Sequence, residues 1–500
     1  MAGSVIGELE GLGSLGREMG RRARQDGLML IWRAQVREVR HVLVRDGRPE
    51  DTSHTSSSGH GVHVFTDEGR TALASRDDFA PETAIDLLRR AANAARRSAA
   101  LGSRSSALPQ LDPVVESAIP ASAEAFDRLD LSLLSARLAE IEREVAGKVA
   151  GVSLRVSFLA DLDGWRIMRS DGTDVTFVMP RCVLRLGATS TGRDGTHGVG
   201  VAISGPDPGL PWDDAEVAVF LRRAIRAAQL ARDLPDAPAH PAGSFPLVID
   251  YALAKGLAHE AFGHAAEADG FRSSILAADG RFRSGERVGP SHVSIVDEPV
   301  AGDHAWQPFS ANGIRRERAV VVDHGRLRDG LSDPWSASEG GVRLTGSARA
   351  GSFRAPPLPR MSNIRIEVDD PLAAPGSFDD YGPAEVRDLL VSAGILKRHP
   401  RVVFLSGYSG GQVNTATGDF VFNCKAIYEL SGDGVRLHKP AIFSGSMFGA
   451  LGAIREAFGP LVLDALGTCG KWGQSVPSSG GSHYFLFLEP DPLVRIGGKD

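Results

Sequence analysis

Four prolines fall within the stretch LPDAPAHPAGSFP at 234–246, and they divide the chain. Proline cannot continue a helix or donate to a strand ladder, so no regular element is expected to cross this stretch. The chain has 500 residues, more than one hydrophobic core usually organises, and the break reads as a boundary between domains 1–238 and 239–500. On the N-terminal side, 28–44 is rich in β-formers and ends at Asp46-Gly47, which predicts a strand and a turn, with a second strand starting near Gly61. Apolar spacing predicts helices over 82–98, 130–147 and 213–232. Residues 152–158 alternate as a half-buried antiparallel strand, and further strands follow to about 203. Residues 102–121 read as a long connection. Beyond the break, one helix (about 250–268) precedes a series of strand and turn signals, with further helices near 384–393 and 446–458. Neither half has a βαβ rhythm, so the expected class is α+β: two domains of mostly antiparallel sheet with flanking helices.

Composition narrows the function. Asp and Glu number 62 against 56 Lys and Arg, a net charge of −6, which argues against a general nucleic-acid partner. Local basic runs, Arg21, Arg22 and Arg24 or Arg315, Arg316 and Arg318, read as solvated faces. No apolar run reaches the roughly 18 residues of a membrane span, and the N-terminus lacks the pattern of an export signal. Three cysteines, Cys182, Cys424 and Cys469, fit a reducing compartment, so a cytoplasmic location is expected.

The chemistry concentrates in YALAKGLAHEAFGHAAEADG, 251–270, where His259, Glu260 and His264 stand on an otherwise apolar rod. Two histidines flanking a glutamate suit zinc chemistry, with imidazoles as ligands and the carboxylate taking a proton from water. The spacing is one residue longer than HExxH. On an ideal α-helix, positions five apart point roughly 140° away from each other, so the two rings converge only through a π-bulge or a distortion at Gly263. Burying an ionised Glu260 between imidazoles without a metal or partner would be costly. A catalytic zinc site also needs a third protein ligand. Cys424 and Cys469 compete for that role. Cys424 shares a strand face with Phe420, Phe422, Ala426 and Tyr428 and reads as a core residue, whereas Cys469 lies among glycines beside Lys471, which could favour a thiolate.

With HEAFGHAAEAD (259–269), RMSN (360–363), SGGQVNTATGDFVF (409–422) and GTCGKWGQSVP (467–477) in this order, the chain resembles the TldD/PmbA family of zinc metallopeptidases, formerly called modulators of DNA gyrase. The N-terminal half resembles the family more loosely. The resemblance implies Zn²⁺ held by His259, His264 and Cys469, Glu260 as general base, and, because HExxxH is complete, a TldD-type subunit. It also implies a two-subunit enclosure with a TldE-like chain or a second copy, the N-terminal domain serving as dimerisation surface and chamber wall. Substrates would be unfolded or flexible peptides such as leader segments of modified peptides. The alternative is a non-proteolytic binding or maturation subunit acting on a peptide-derived metabolite.

Two departures stand out: Ser478 to Phe485 replaces the usual Val-Gly-Val-Gly-Gln-Pro, leaving substrate preference open, and Asn414-Thr415 replaces Asp-Pro. Glu267 lies one turn beyond His264, where it could accept an imidazole N–H. Arg360 and Asn363 would hold the metal helix or the substrate backbone, and Gly410 and Gly411 would let an extended peptide approach a strand edge. His54, His60 and His63 read as a solvated turn entering a strand.

Overall fold

The computed structural model describes residues 2–97, 110–193 and 195–497. In the N-terminal half, β1 (Leu28–Arg45) and β2 (Arg48–Thr66) form one long hairpin, with β3 (Thr71–Arg76), β4 (Val115–Ala118), β5 (Ser153–Arg169), β6 (Asp174–Gly192) and β7 (Gly195–Gly205) completing a seven-stranded sheet. Its order is β3-β2-β1-β5-β6-β4, with β7 also on β6, and among the described residues only the short β4–β6 pairing is parallel. Among the described residues, five α-helices lie with it: α1 (Ala2–Gly11), α2 (Gly13–Gln25), α3 (Pro81–Arg97), α4 (Leu131–Lys148) and α5 (Asp214–Asp233). Their apolar stripes, including Leu9, Met19, Leu88, Leu138 and Phe220, share one core with Trp32, Val42 and Leu184 of the sheet. Asp130 starts α4 by accepting from the backbone of Ser132 and Leu133.

The second strand begins at Arg48 rather than near Gly61, so His54, His60 and His63 belong to β2 and not to a solvated turn. The first half of β2 is polar on both faces, so it carries none of the alternation that marks a strand; the backbone ladder with β1 holds it instead. His60 is buried between the rings of Trp32 and Phe79, and His63 lies half-buried against Phe65. Of the connection expected over 102–121, residues 102–109 lie outside the described residues, and the remainder contains β4.

The opposite face of the sheet is covered by the C-terminal half. Ile31, Phe65, Trp165, Ile167 and Phe177 pack against Phe309 and Phe353. Among the proline-rich residues, Gly243 bridges to Ile496 and His240 rests on Phe245 and His438.

The C-terminal half is a mostly antiparallel sheet of thirteen strands. Its strands include β8 (Leu247–Asp250), β9 (Val293–Glu298), β10 (Ala319–Asp323), β11 (Asn363–Val368), β12 (Arg401–Asn414) and β13 (Asp419–Ser431). A later group is β14 (Ile454–Val462), β15 (Gly467–Lys471) and β16 (Gln474–Leu488). The order through the centre is β10-β9-β11-β16-β8-β12-β13, with β14 and β15 also pairing with β16. Only β11–β16 and β8–β12 run parallel along this path. The helix expected over 446–458 ends at Ala453; from Ile454 the chain is β14, whose Ala457 and Phe458 pair with β16. Arg316 is not on a solvated face: it is buried, 3.4 Å from Asp297. No helix among the described residues is long and apolar enough to cross a membrane.

Candidate metal centre

Strand β8 runs directly into the helix that carries the motif. Asp250 caps it, accepting from the Leu253 N–H at 2.9 Å, while its other oxygen accepts from the Gly407 N–H of β12 at 2.6 Å. One buried carboxylate thus fixes the helix start to the strand beside it. The helix is α-helical over Tyr251–Gly256 and a π-helix over Leu257–Gly263. The His264 N–H donates to the His259 carbonyl, so the wide turn closes between the two histidines. Their rings stand 5.1 Å apart at 89°. The extra residue in HExxxH is therefore absorbed by the backbone. Gly263 is required at the end of this turn, because a Cβ there would lie 1.9 Å from Met361 Sδ.

Cys469 arrives from β15, its Sγ 3.8 Å from His264 Nε2. Ligand atoms of His259, His264 and Cys469 lie within 4.8 Å of one another. Zinc bonds of about 2.0–2.3 Å in a tetrahedron separate ligand atoms by roughly 3.5 Å, so a small contraction closes the triangle on an ion. His259 Nδ1 is buried without a hydrogen-bond partner, and burial, with Lys255 and His264 nearby, holds that imidazole well below its usual range and neutral. Two imidazoles and one thiol, with an orphaned nitrogen among them, make a donor set that fits zinc. Cys424 lies elsewhere in the core, donating to the Ala441 carbonyl, and burial pushes its thiol up to about 11.

The ligands are braced. Burial would lower the His264 imidazole, but Glu267 and Cys469 outweigh it and hold it well above its usual range. His264 Nδ1 meets Glu267 at 3.2 Å, which leaves Nε2 toward the sulfur. Glu267 is buried, yet His264 and Lys471 keep its carboxyl below the ordinary range. Lys471 does not serve the thiolate as its position in the sequence suggested: its ammonium lies 2.8 Å from Glu267 and 2.7 Å from Asp269. Arg360 donates from Nε to Cys469 Sγ at 3.2 Å and from its terminal nitrogen to the Cys469 carbonyl. Asn363 is set apart from the ligands, donating to the Leu463 carbonyl at 3.1 Å and Ser479 at 3.3 Å, where it secures the parallel β11–β16 junction.

Glu260 and His264 face a cleft of about 500 Å³, also lined by Glu267, Gly411, Lys471 and Trp472. Glu260 Oε1 accepts from the Tyr408 hydroxyl at 3.0 Å, and its other oxygen is 3.8 Å from His264 Nε2. Tyr408 precedes a bulge in β12 that includes Gly410, whose φ is 96°. The Tyr408 ring lies against the motif helix where a Cβ on Gly256 would come within 2.6 Å. The sequence did not single out Tyr408, and it assigned Lys471 to the sulfur rather than to Glu267. A glycine inside the helix and a Glu-x-Asp pair after the second histidine were the available signals. Lys255 was also overlooked; it is buried, donates to Ser478 Oγ at 3.2 Å, and burial, opposed by Glu260 and Cys469, brings its ammonium down to about 8.

The unusual segment after Pro477 is buried in β16. Ser479 meets Asp303, Ser482 donates to the Ile366 carbonyl, and His483 accepts from the Val368 N–H and meets the Gly459 carbonyl. These groups satisfy backbone and side chains inside the sheet, away from the cleft.

Sequence signatures of the PmbA/TldA metallopeptidase C-terminal domain and domain 1 match residues 242–468 and 33–99. A metalloprotease of Methanothermobacter thermautotrophicus is 27% identical over 90% of this chain and 92% of its own length. A metalloprotease TldD homolog of Haemophilus influenzae is 29% identical over 67% of this chain and 65% of its own. TldE from Thermococcus kodakarensis superposes over 97% of this chain and 100% of its own with a TM-score of 0.74 at 15% identity, which shows a common fold. The chain belongs to the TldD/PmbA family of metallopeptidases.

Proposed function

We propose that this chain is the catalytic, TldD-type subunit of a zinc peptidase that cuts unfolded or flexible peptides, leader segments of modified peptides among them. The observation that carries the reading is the π-helical turn, which brings His259 and His264 together with Cys469 and leaves Glu260 in the same cleft. A relative of Saccharolobus solfataricus named as a zinc metalloprotease TldD homolog, 26% identical over 51% of this chain and 52% of its own, supports the choice of metal.

Zinc on His259, His264 and Cys469 would supply a Lewis acid for the scissile carbonyl and make water acidic enough to lose a proton near neutral pH. Glu260 takes that proton and returns it to the leaving amine. Tyr408 aims the carboxylate; Glu267, anchored by Lys471, orients His264; Arg360 holds the Cys469 sulfur. Asn363 keeps β16, the partner of β15, in place.

Strand β12 pairs along its length with β13, but with β8 only over Val403–Leu405. Beyond that, Gly411, Gln412 and Val413 line the cleft, and a peptide strand would run there, the glycines Gly410 and Gly411 allowing close backbone approach. Residues 1–238 would form the dimerisation domain and chamber wall and 239–500 the peptidase domain. The partner would be a TldE-like chain or a second copy, in the cytoplasm, with no nucleic acid or membrane involved. The test is zinc per chain in protein purified without added metal, together with hydrolysis of an unstructured peptide by wild type and Glu260→Gln. Near one zinc in both and hydrolysis in the wild type alone is expected; equal hydrolysis by the variant would sink the reading.

A further inference from the structure

The hairpin between β15 and β16 turns at Trp472 and Gly473, and both have positive φ, 49° and 74°. A two-residue turn of this kind favours Asn, Asp or Gly at its first central position, and a bulky side chain there is strained. Trp472 is nevertheless 77% exposed. The indole therefore buries little surface in return for the strained backbone.

Its surroundings show what it is held for. Both feet of the turn are clamped inward. Lys471 is bound to Glu267 and Asp269, while Gln474 donates to the Pro356 carbonyl at 2.9 Å and accepts from the Gly351 N–H at 3.0 Å. The indole thus stands on a rigid support at the rim of the cleft that contains Glu260 and His264. It stands three positions along the chain from Cys469, a chain length of at most roughly 10 Å, or about three positions of an extended peptide. Gly411, Gln412 and Val413 of β12 line the same cleft.

We infer that Trp472 is a specificity-determining platform that receives an apolar or aromatic side chain of the peptide, within three residues of the scissile bond. The inference rests on the peptidase reading above and adds the class of residue selected. A planar, exposed indole gains most from stacking on a ring or covering an aliphatic chain, and least from a carboxylate.

The test uses the zinc-loaded full chain and peptides identical except at one position, filled in turn by Phe, Leu, Ala and Asp at each of the three places on either side of the cut. The wild type is expected to favour Phe or Leu over Ala at one place by about three- to tenfold in kcat/KM, the range that aromatic contacts supply. Trp472→Asn, whose side chain suits the turn, is expected to erase the preference by raising KM for the Phe peptide, and Trp472→Phe to keep part of it. The same preference in Trp472→Asn as in the wild type would overturn the inference, as would a change confined to oligomeric state. Should the wild type cut no peptide at all, the peptidase reading fails separately. Indole quenching by the Phe peptide, seen in wild type but not in Trp472→Phe, would then still support the platform, and its absence would reject it.

Discussion

The two halves both consist of a wide, largely antiparallel sheet, yet they spend their irregularity differently. The N-terminal sheet has strands of up to 19 residues in β2 and β6, and one register shift in the 18-residue β1–β2 ladder. The C-terminal sheet has a π-helical turn, a bulge beside Tyr408, parallel junctions inside an antiparallel layer and a turn strained at Trp472. His259, Glu260 and His264 sit at the π-helical turn, Gly410 and Gly411 at the bulge and Trp472 at the strained turn, whereas Cys469 stands in the regular β15–β16 ladder, three positions before that turn. A regular ladder repeats the same geometry along its length, whereas converging three ligands and a base from two elements requires departures from it.

The sharpest way to break this comparison is to remove groups of the metal centre itself. Glu260→Gln should lower kcat by about 10²–10⁴-fold while zinc content stays near one per chain. Cys469→Ala should lose most of the zinc, as measured by elemental analysis. A Cys469→Ala protein that keeps its metal would mean that the triangle with His259 and His264 is not the binding site.

Next in size is the brace behind His264. Glu267→Gln removes the charge that orients the ring and leaves Lys471 facing Asp269 alone. A loss of about 10–100-fold in zinc affinity is expected, read by competition with a chromophoric chelator. An unchanged affinity would reduce Glu267 to an ordinary buried ion pair. Tyr408→Phe should act on the base rather than on the metal. One hydrogen bond to a charged group contributes about 1.5–3 kcal/mol, so a fall in kcat of roughly tenfold or more with unaltered zinc affinity is expected. A fall in zinc affinity instead would show that Tyr408 supports the ligand cage.

What could be read in the sequence follows the same division. Strands with apolar alternation and helices with clear stripes, such as β5 and α4, were legible because burial of one face imposes a period. The first helices were not, since the N-terminal segment is rich in glycine, a poor helix former; Gly16 is needed where a Cβ would meet Met168 Sδ at 2.2 Å. The polar first half of β2 gave no period at all. In the site, His259, Glu260 and His264 were legible together because they are contiguous, and the mismatch of their spacing with an α-helix pointed to the π turn. Tyr408 was not, because only the tertiary fold brings β12 to the motif helix. Lys471 was noticed, but its partner depends on where Glu267 points once the helix has widened.

The smallest expected effect tests the regular half. His60 lies at 0% exposure in β2 with both ring nitrogens unpartnered, between Trp32 and Phe79. Burial, with Arg76 adding to it and Asp78 opposing, brings its imidazole down to about 4. The sign follows from where protons bind. Above pH about 6.5 neither folded nor unfolded chain protonates this ring, so it adds no pH dependence. Between about 6.5 and 4 the unfolded chain takes up a proton that the folded chain refuses, and stability falls as pH falls. Full expression of the shift would amount to about 3 kcal/mol. His60→Phe keeps a ring in the slot without buried nitrogens, so it should raise stability by about 1 kcal/mol at neutral pH and flatten the acid slope. Urea unfolding from pH 7 to 4.5 measures both. His63, whose imidazole burial and Arg33 also hold well below its usual range, leaves a residual slope in the variant. An acid slope identical to that of the wild type would mean that the ring of His60 is hydrated, and that the regular sheet is less tightly closed at this edge than its ladder indicates.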